Sequence, residues 1–124
     1  MRFLLDVNAL IAWGHGNAQD HAAFHAWRKK RAGATLVSCA ITELGFLRVS
    51  MVAFHLDAAQ AAALLATLKR EMREFAAESP SPNLPKWATT AGRTTDAYLT
   101  QLASHHGATL ATFDRGIPAA EVIR

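Results

Sequence analysis

Cysteine is almost absent: Cys39 is the only one in 124 residues. An internal disulfide is therefore excluded, as is a zinc site built from several thiolates. Cys39 sits in the apolar stretch "LVSCAI" and reads as a small buried hydrophobe in a reducing compartment. Long apolar runs are also missing, and none approaches the ~18 residues of a membrane span. Asp6 interrupts the first apolar stretch too early for a signal peptide. Charge is sparse, with Asp, Glu, Lys and Arg at 19% of the chain, so much of the polar surface must come from uncharged side chains and His. The net charge of +3 is compatible with a nucleic-acid partner and does not demand one. Prolines number four, three of them inside "SPSPNLPKW", Ser79 to Trp87, which must be a loop or extended segment. Hydrophobic residues make up 51% of the chain, too many for disorder. These bounds predict one domain over residues 1–124, with one core, in the cytoplasm and away from membranes.

The pattern alternates strands with helices. "RFLL" reads as a short buried strand, and Asn8 can cap a helix through "ALIAWG". A helix over Ala18–Arg31 ends in four cations, which suit the negative end of its dipole. "TLVSC", Thr35 to Cys39, is a second strand. In "ITELGFLRVSMVAF", Leu44, Leu47, Met51 and Phe54 recur at helical spacing and predict the inward face of a helix. Asp57–Glu78 predicts a longer helix, opened by a capping arrangement of Asp57 and Gln60. A further helix is expected from Thr95 to Gly107, then a strand in "ATLATF" and a short last strand near Val122 and Ile123. This alternation predicts an α/β fold with a mostly parallel sheet. In such sheets the working crevice lies beyond the carboxyl ends of the strands.

Asp6 and Asp114 each follow a predicted strand. If those strands are neighbours, the two carboxylates meet at the crevice. Glu43, near the start of the helix after the second strand, and Asp96, in the first turn of the helix before "ATLATF", can join them. Two carboxylates ~5 Å apart repel by roughly 3 kcal/mol at an effective dielectric of 20. Four together need protons or a cation. Oxygen ligands of this kind suit Mg²⁺ or Mn²⁺, which would support metal-assisted hydrolysis of a phosphate ester. Singly, each acid also has a local explanation. Asp6, Glu43 and Asp96 can serve helix starts, and Asp114 can be a turn residue. Two strands that both end on Asp are harder to explain by local turn chemistry.

Other polar residues are weaker signals. His21 and His25 share an i, i+4 spacing, but no third zinc ligand accompanies them. Arg93 and Arg115 flank two of the acids and are placed to touch a phosphate, while Arg48 is placed to pair with an acid. The basic run Arg28–Arg31 reads as a solvated helix end or a backbone contact. Trp13, Trp27 and Trp87 read as core or interface aromatics.

"LLDVNALIA", "TELGFLR" and "TTDAYLTQLASHHGATLATFDRG" resemble the PIN-domain ribonucleases of the VapC toxin type. The third stretch is the most specific, following T-D-x-x-L-x-x-L-A-x-x-x-G-x-x-L-x-T-x-D. The resemblance is weak between Asp57 and Trp87. It implies a three-layer α/β fold, with a small parallel sheet flanked by helices. It further implies a Mg²⁺- or Mn²⁺-dependent endoribonuclease, the toxin of a toxin–antitoxin pair. Carried over, Asp6, Glu43, Asp96 and Asp114 match the four acids. The resemblance implies Asp6 and Asp96 as direct metal ligands, with Glu43 and Asp114 at longer range or acting through water. Asn8 and Thr112 match supporting polar positions. The implied partners are RNA, a small antitoxin that covers the site, and a second copy of the chain. The short tail with Pro118 departs from the pattern. The alternative is a catalytically silent PIN-like module that binds RNA or protein. A haloacid-dehalogenase-type phosphohydrolase would need an acid where Asn8 stands, and a receiver domain would need a late lysine, whereas Lys86 is the last.

Overall fold

Strand β1 (Arg2–Leu5) occupies the centre of a five-stranded parallel sheet in this computed structural model, which describes all of residues 1–124. On one side β1 pairs with β2 (Thr35–Cys39), which pairs with β3 (Glu74–Ala76). On the other it pairs with β4 (Thr109–Thr112), which pairs with β5 (Glu121–Val122). The order is therefore β3-β2-β1-β4-β5. Between the strands run α1 (Val7–Gly14), α2 (His21–Lys30), α3 (Ala40–Ala53), α4 (Ala58–Glu71) and α5 (Ala91–His105).

The pleat of β1 divides the core. Phe3 and Leu5 face α1 to α4, meeting Leu10, Trp13, Phe24 and Phe46. Leu4 faces the other way, with Val37 and Cys39, toward Leu99 and Leu102 of α5. Each fully buried Leu or Phe of this kind contributes about 1.5–3 kcal/mol by leaving water. The result is the expected three-layer α/β arrangement, with α1 to α4 on one face of the sheet and α5 on the other.

Several elements differ from the sequence expectation. Asp6, not Asn8, caps α1, because its Oδ1 accepts the Val7 N–H at 2.8 Å. Helix α2 begins at His21 rather than Ala18. The long helix from Asp57 stops at Glu71, and its last predicted residues form β3 instead. Met72 turns the chain into extended backbone, and pairing with β2 then decides the conformation. The capping box of Asp57 and Gln60 is present as expected. Helix α5 starts at Ala91, a full turn earlier than Thr95.

The inward face of α3 also differs. Thr42, Gly45, Phe46 and Ser50 are buried, while Leu44 and Met51 are exposed. Strand β2 passes into α3 with no loop between them, and Cys39 and Thr42 form its cap. The strand end therefore sets the phase of the helix, whatever the apolar spacing suggests.

Candidate active site

The pairing of β1 with β4 brings the two strand-end aspartates together. The Asp6 N–H continues the ladder by donating to the Ala111 carbonyl at 3.0 Å. The Asp6 side chain is buried, and both oxygens are held. Oδ1 caps α1, and Oδ2 accepts the Thr112 hydroxyl at 2.8 Å. Thr112 is wholly buried, and its oxygen accepts from Asn8 Nδ2 at 3.1 Å and from the Asp114 N–H at 3.1 Å. A hydroxyl offers one donor and two acceptor sites, so Thr112 is saturated. Asn8 is fixed in turn, because its Oδ1 accepts the Phe113 N–H at 3.1 Å. Asp114 accepts the Gly116 N–H at 2.7 Å, closing a turn beyond β4.

Asp96 arrives from the other layer, on α5. Because α5 begins at Ala91, Asp96 lies in the second turn rather than the first. The field of a helix end fades within one turn. The helix start therefore does not account for this acid.

Asp6, Asp96 and Asp114 line one cavity of about 460 Å³, whose apolar wall includes Ile11, Val49 and Phe54. Burial pushes the Asp6 carboxyl above its ordinary value, the hydrogen bonds from Thr112 and Val7 oppose this, and the charge of Asp114 adds to the rise. Burial also raises Asp96, with Asp6 and Asp114 adding repulsion and Arg93 opposing it. Asp6 and Asp96 thus each sense neighbouring negative charge, which Arg93 offsets only in part at Asp96.

Glu43 stands apart from this cavity. It accepts from the Ser38 hydroxyl at 2.5 Å and pairs with Lys69 at 3.2 Å. Neither partner is marked in the sequence. Lys69 lies 26 residues away on α4, beyond the reach of any local spacing rule. The structure therefore gathers three of the four predicted acids and holds the fourth on a lysine.

Arg93 is committed to its surroundings. It donates to the Gly116 carbonyl at 2.5 Å, and its guanidinium lies 4.8 Å from the centre of the Trp87 ring. Arg115 is exposed, and neither it nor Arg48 forms an ion pair. The rings of His21 and His25 are 4.4 Å apart, but no third ligand joins them.

Three hard carboxylates gathered on one cavity fit a divalent cation by charge and donor type. They do not close into a three-ligand cage in this arrangement. Mg²⁺ in particular is commonly held by one or two carboxylates, with water and substrate phosphate completing its shell.

Fold and acids together define a class. The PIN domain profile matches residues 3–122, and the chain belongs to the PIN-domain family. Its relatives in Mycobacterium tuberculosis include Ribonuclease VapC39, 31% identical over 127 residues that cover 94% of this chain and 91% of the relative. Ribonuclease VapC38 is 33% identical over 121 residues, 92% of this chain and 86% of the relative. Ribonuclease VapC44 is 34% identical over 132 residues, 94% and 89%. The crystal structure of VapBC2 from Rickettsia felis, bound to a DNA fragment from its promoter, superposes with a TM-score of 0.66 at 14% identity. That match covers 98% of this chain and 97% of the other, and it establishes the fold.

Proposed function

We propose that this chain is a Mg²⁺- or Mn²⁺-dependent endoribonuclease and the toxin of a toxin–antitoxin pair. The carrying observation is the convergence of Asp6, Asp96 and Asp114 on one cavity at the carboxyl end of the sheet. Membership of the PIN family and similarity to proteins named ribonucleases support the reaction class. No helix is long and apolar enough to cross a membrane, in keeping with action on RNA in the cytoplasm.

Asp6 and Asp96 would hold the cation, and Asp114 would orient the attacking water. When bound, the cation lowers the pKa of a coordinated water and stabilises charge on the phosphoryl oxygens. The chain's own residues prepare that site. Thr112 and the α1 cap hold both Asp6 oxygens before any ligand arrives, so little reorganisation is needed. Asn8 locks Thr112 in the orientation that donates to Asp6. Glu43 would act at longer range, from its place between Ser38 and Lys69. Arg93 keeps the α5 start and the turn after Asp114 together. Arg115, exposed beside Asp114, is the freer of the two arginines to meet a phosphate.

A small antitoxin would cover the apolar wall of the cavity. Ile41, Leu44, Met51 and Val52 expose apolar surface on α3, which suits an antitoxin or the seam of a homodimer. The test is cleavage of a structured-RNA pool by protein freed of any partner, with Mg²⁺, Mn²⁺ or EDTA. Cutting that requires the metal and is lost in Asp6→Asn is the expected result. Folded protein that binds Mn²⁺ but cuts no RNA would replace this reading with a silent binding module.

A further inference from the structure

At the opposite end of the sheet, where β2 begins, the carboxyl ends of α2 and α4 border a second and larger cavity, of about 1150 Å³. Arg28, Lys29, Arg31, Arg70 and Arg73 line it, against a single acid, Glu71. Five cations less one anion leave +4, more than the formal +3 of the entire chain. The rest of the molecule therefore sums to about −1, and the basic character of the protein is concentrated in this groove.

Helix ends explain only part of it. Two helix carboxyl ends carry about −0.5 each. They offset about one positive charge in four. Arg28 pairs with Glu71 at 3.6 Å, and Arg31 pairs with Glu121 at 2.5 Å. Lys29, Arg70 and Arg73 are exposed and form no ion pair.

We infer that this groove is a second nucleic-acid site, which binds the phosphodiester backbone of single-stranded RNA without reading its sequence. The inference rests on the ribonuclease reading and extends it. Phosphate binding needs only placed cations. A protein segment would need an apolar anchor point, because binding energy concentrates in buried aromatic and aliphatic contacts. The large apolar residues of the groove, Trp27, Leu36 and Met72, are all buried within the domain itself, with at most 8% of their surface exposed. Trp27 is only 4% exposed, so its ring is no stacking platform for a base. What remains accessible is a charged wall with a preference for polyanions.

The acids follow the last residues of β1 and β4, whereas the groove borders the first residues of β2. The length of the strands, roughly 15 Å, separates the two sites. The groove would thus add affinity for RNA long enough to reach both and none for a dinucleotide.

The test is fluorescence anisotropy of a labelled single-stranded 20-mer RNA in EDTA, where no cleavage occurs, over a series of KCl concentrations. The comparison is the whole chain against the triple variant Lys29→Ala, Arg70→Ala, Arg73→Ala. Loss of three phosphate contacts should lower the slope of log K against log salt by about 2, at about 0.7 per contact. The charge-keeping triple Lys29→Arg, Arg70→Lys, Arg73→Lys should retain the slope. The three positions are exposed, so the thermal midpoint should not move, and that measurement guards against misfolding. An unchanged slope in the alanine triple overturns the proposal, as does wild-type protein that fails to bind the RNA. Tight binding of polyglutamate through these residues, with RNA binding unaltered, would reassign the groove to an acidic protein. Failure of the ribonuclease reading is separate: it shows in metal-dependent cleavage and its loss in Asp6→Asn, neither of which this binding assay measures.

Discussion

Thr112 donates its hydroxyl to Asp6 Oδ2 at 2.8 Å, joining the ends of two neighbouring parallel strands 106 residues apart in sequence. The same oxygen accepts from Asn8 and from the Asp114 backbone. One side chain thereby aligns two of the three acids.

Replacing it should be costly. Thr112→Val keeps the shape but leaves two donors without their acceptor. Loss of such a supporting hydrogen bond typically costs 10–100-fold in metal affinity or activity. The stranded polar groups should cost about 1–3 kcal/mol of stability. Thr112→Ser should restore both, and Mn²⁺ titration with urea unfolding would read the two effects. Equal metal affinity in Thr112→Val would remove Thr112 from the site.

The carboxylate cluster should make the folded protein less stable as pH rises. Asp6 and Asp96 are both raised above 3.8, so the folded state holds more protons than the unfolded one above that pH. Stability from these groups is then present at low pH and lost as pH climbs through their folded values. Asp96→Asn, which removes one charge, should raise the melting temperature at pH 7. The gap should close toward pH 4. Added MgCl₂ should raise the wild-type midpoint more than that of Asp96→Asn. A lower midpoint for the variant at pH 7 would contradict mutual repulsion.

His15 should act in the opposite direction. It is buried, stacks 3.9 Å from Phe54 and shares a hydrogen bond with Ser50 at 2.9 Å. Burial lowers its affinity for a proton below the ordinary 6.5. Its contribution is therefore complete above pH 6.5 and lost as pH falls through the folded value. Thermal midpoints of the wild type should drop between pH 6.5 and pH 5, and His15→Gln should flatten part of that drop. His25, lowered by burial and by His21, would supply the remainder. Identical slopes for the two proteins would exclude His15 as the titrating group.

Gly45 should not tolerate alanine. In most helices that change gains about 0.5–1 kcal/mol. Here a Cβ would lie 2.5 Å from Val7 Cγ2, at the start of α1 beside Asp6. Val is stiff at χ1, so the clash is not relieved cheaply. Overpacking costs about 1–3 kcal/mol and outweighs the helix gain. Urea unfolding should show net destabilisation of Gly45→Ala, and a stabilised variant would mean that α1 yields freely.

Local chemistry makes several features legible in the chain itself. Short apolar runs that end on Asp6 and Asp114 mark strands and their termini. The cap at Asp57 and Gln60 depends on residues three apart. The pattern from Thr95 to Asp114 carries a helix, a glycine stop, a strand and two acids in one continuous stretch, which is why its resemblance to the PIN family is specific.

The features that periodicity does not reveal share one cause. Periodicity senses neighbours within about four residues. β3 exists because β2 offers an open edge to Glu74–Ala76. The exposed face of α3 follows from its loop-free exit from β2, against the apolar spacing of Leu44 and Met51.

The amino-acid sequence by itself determined the alternation of strands and helices, the acids at two strand ends, and the absence of an internal disulfide. Only the tertiary structure decided which groups those acids meet. It joined Asp6 to Thr112, placed Asp96 beside both strand-end acids, and set Glu43 on Lys69. It also brought the cations of α2 and α4 to one groove. Each of these pairings spans tens of residues, and only packing of helices on a common sheet brings such distant side chains within reach of a hydrogen bond or a shared charge.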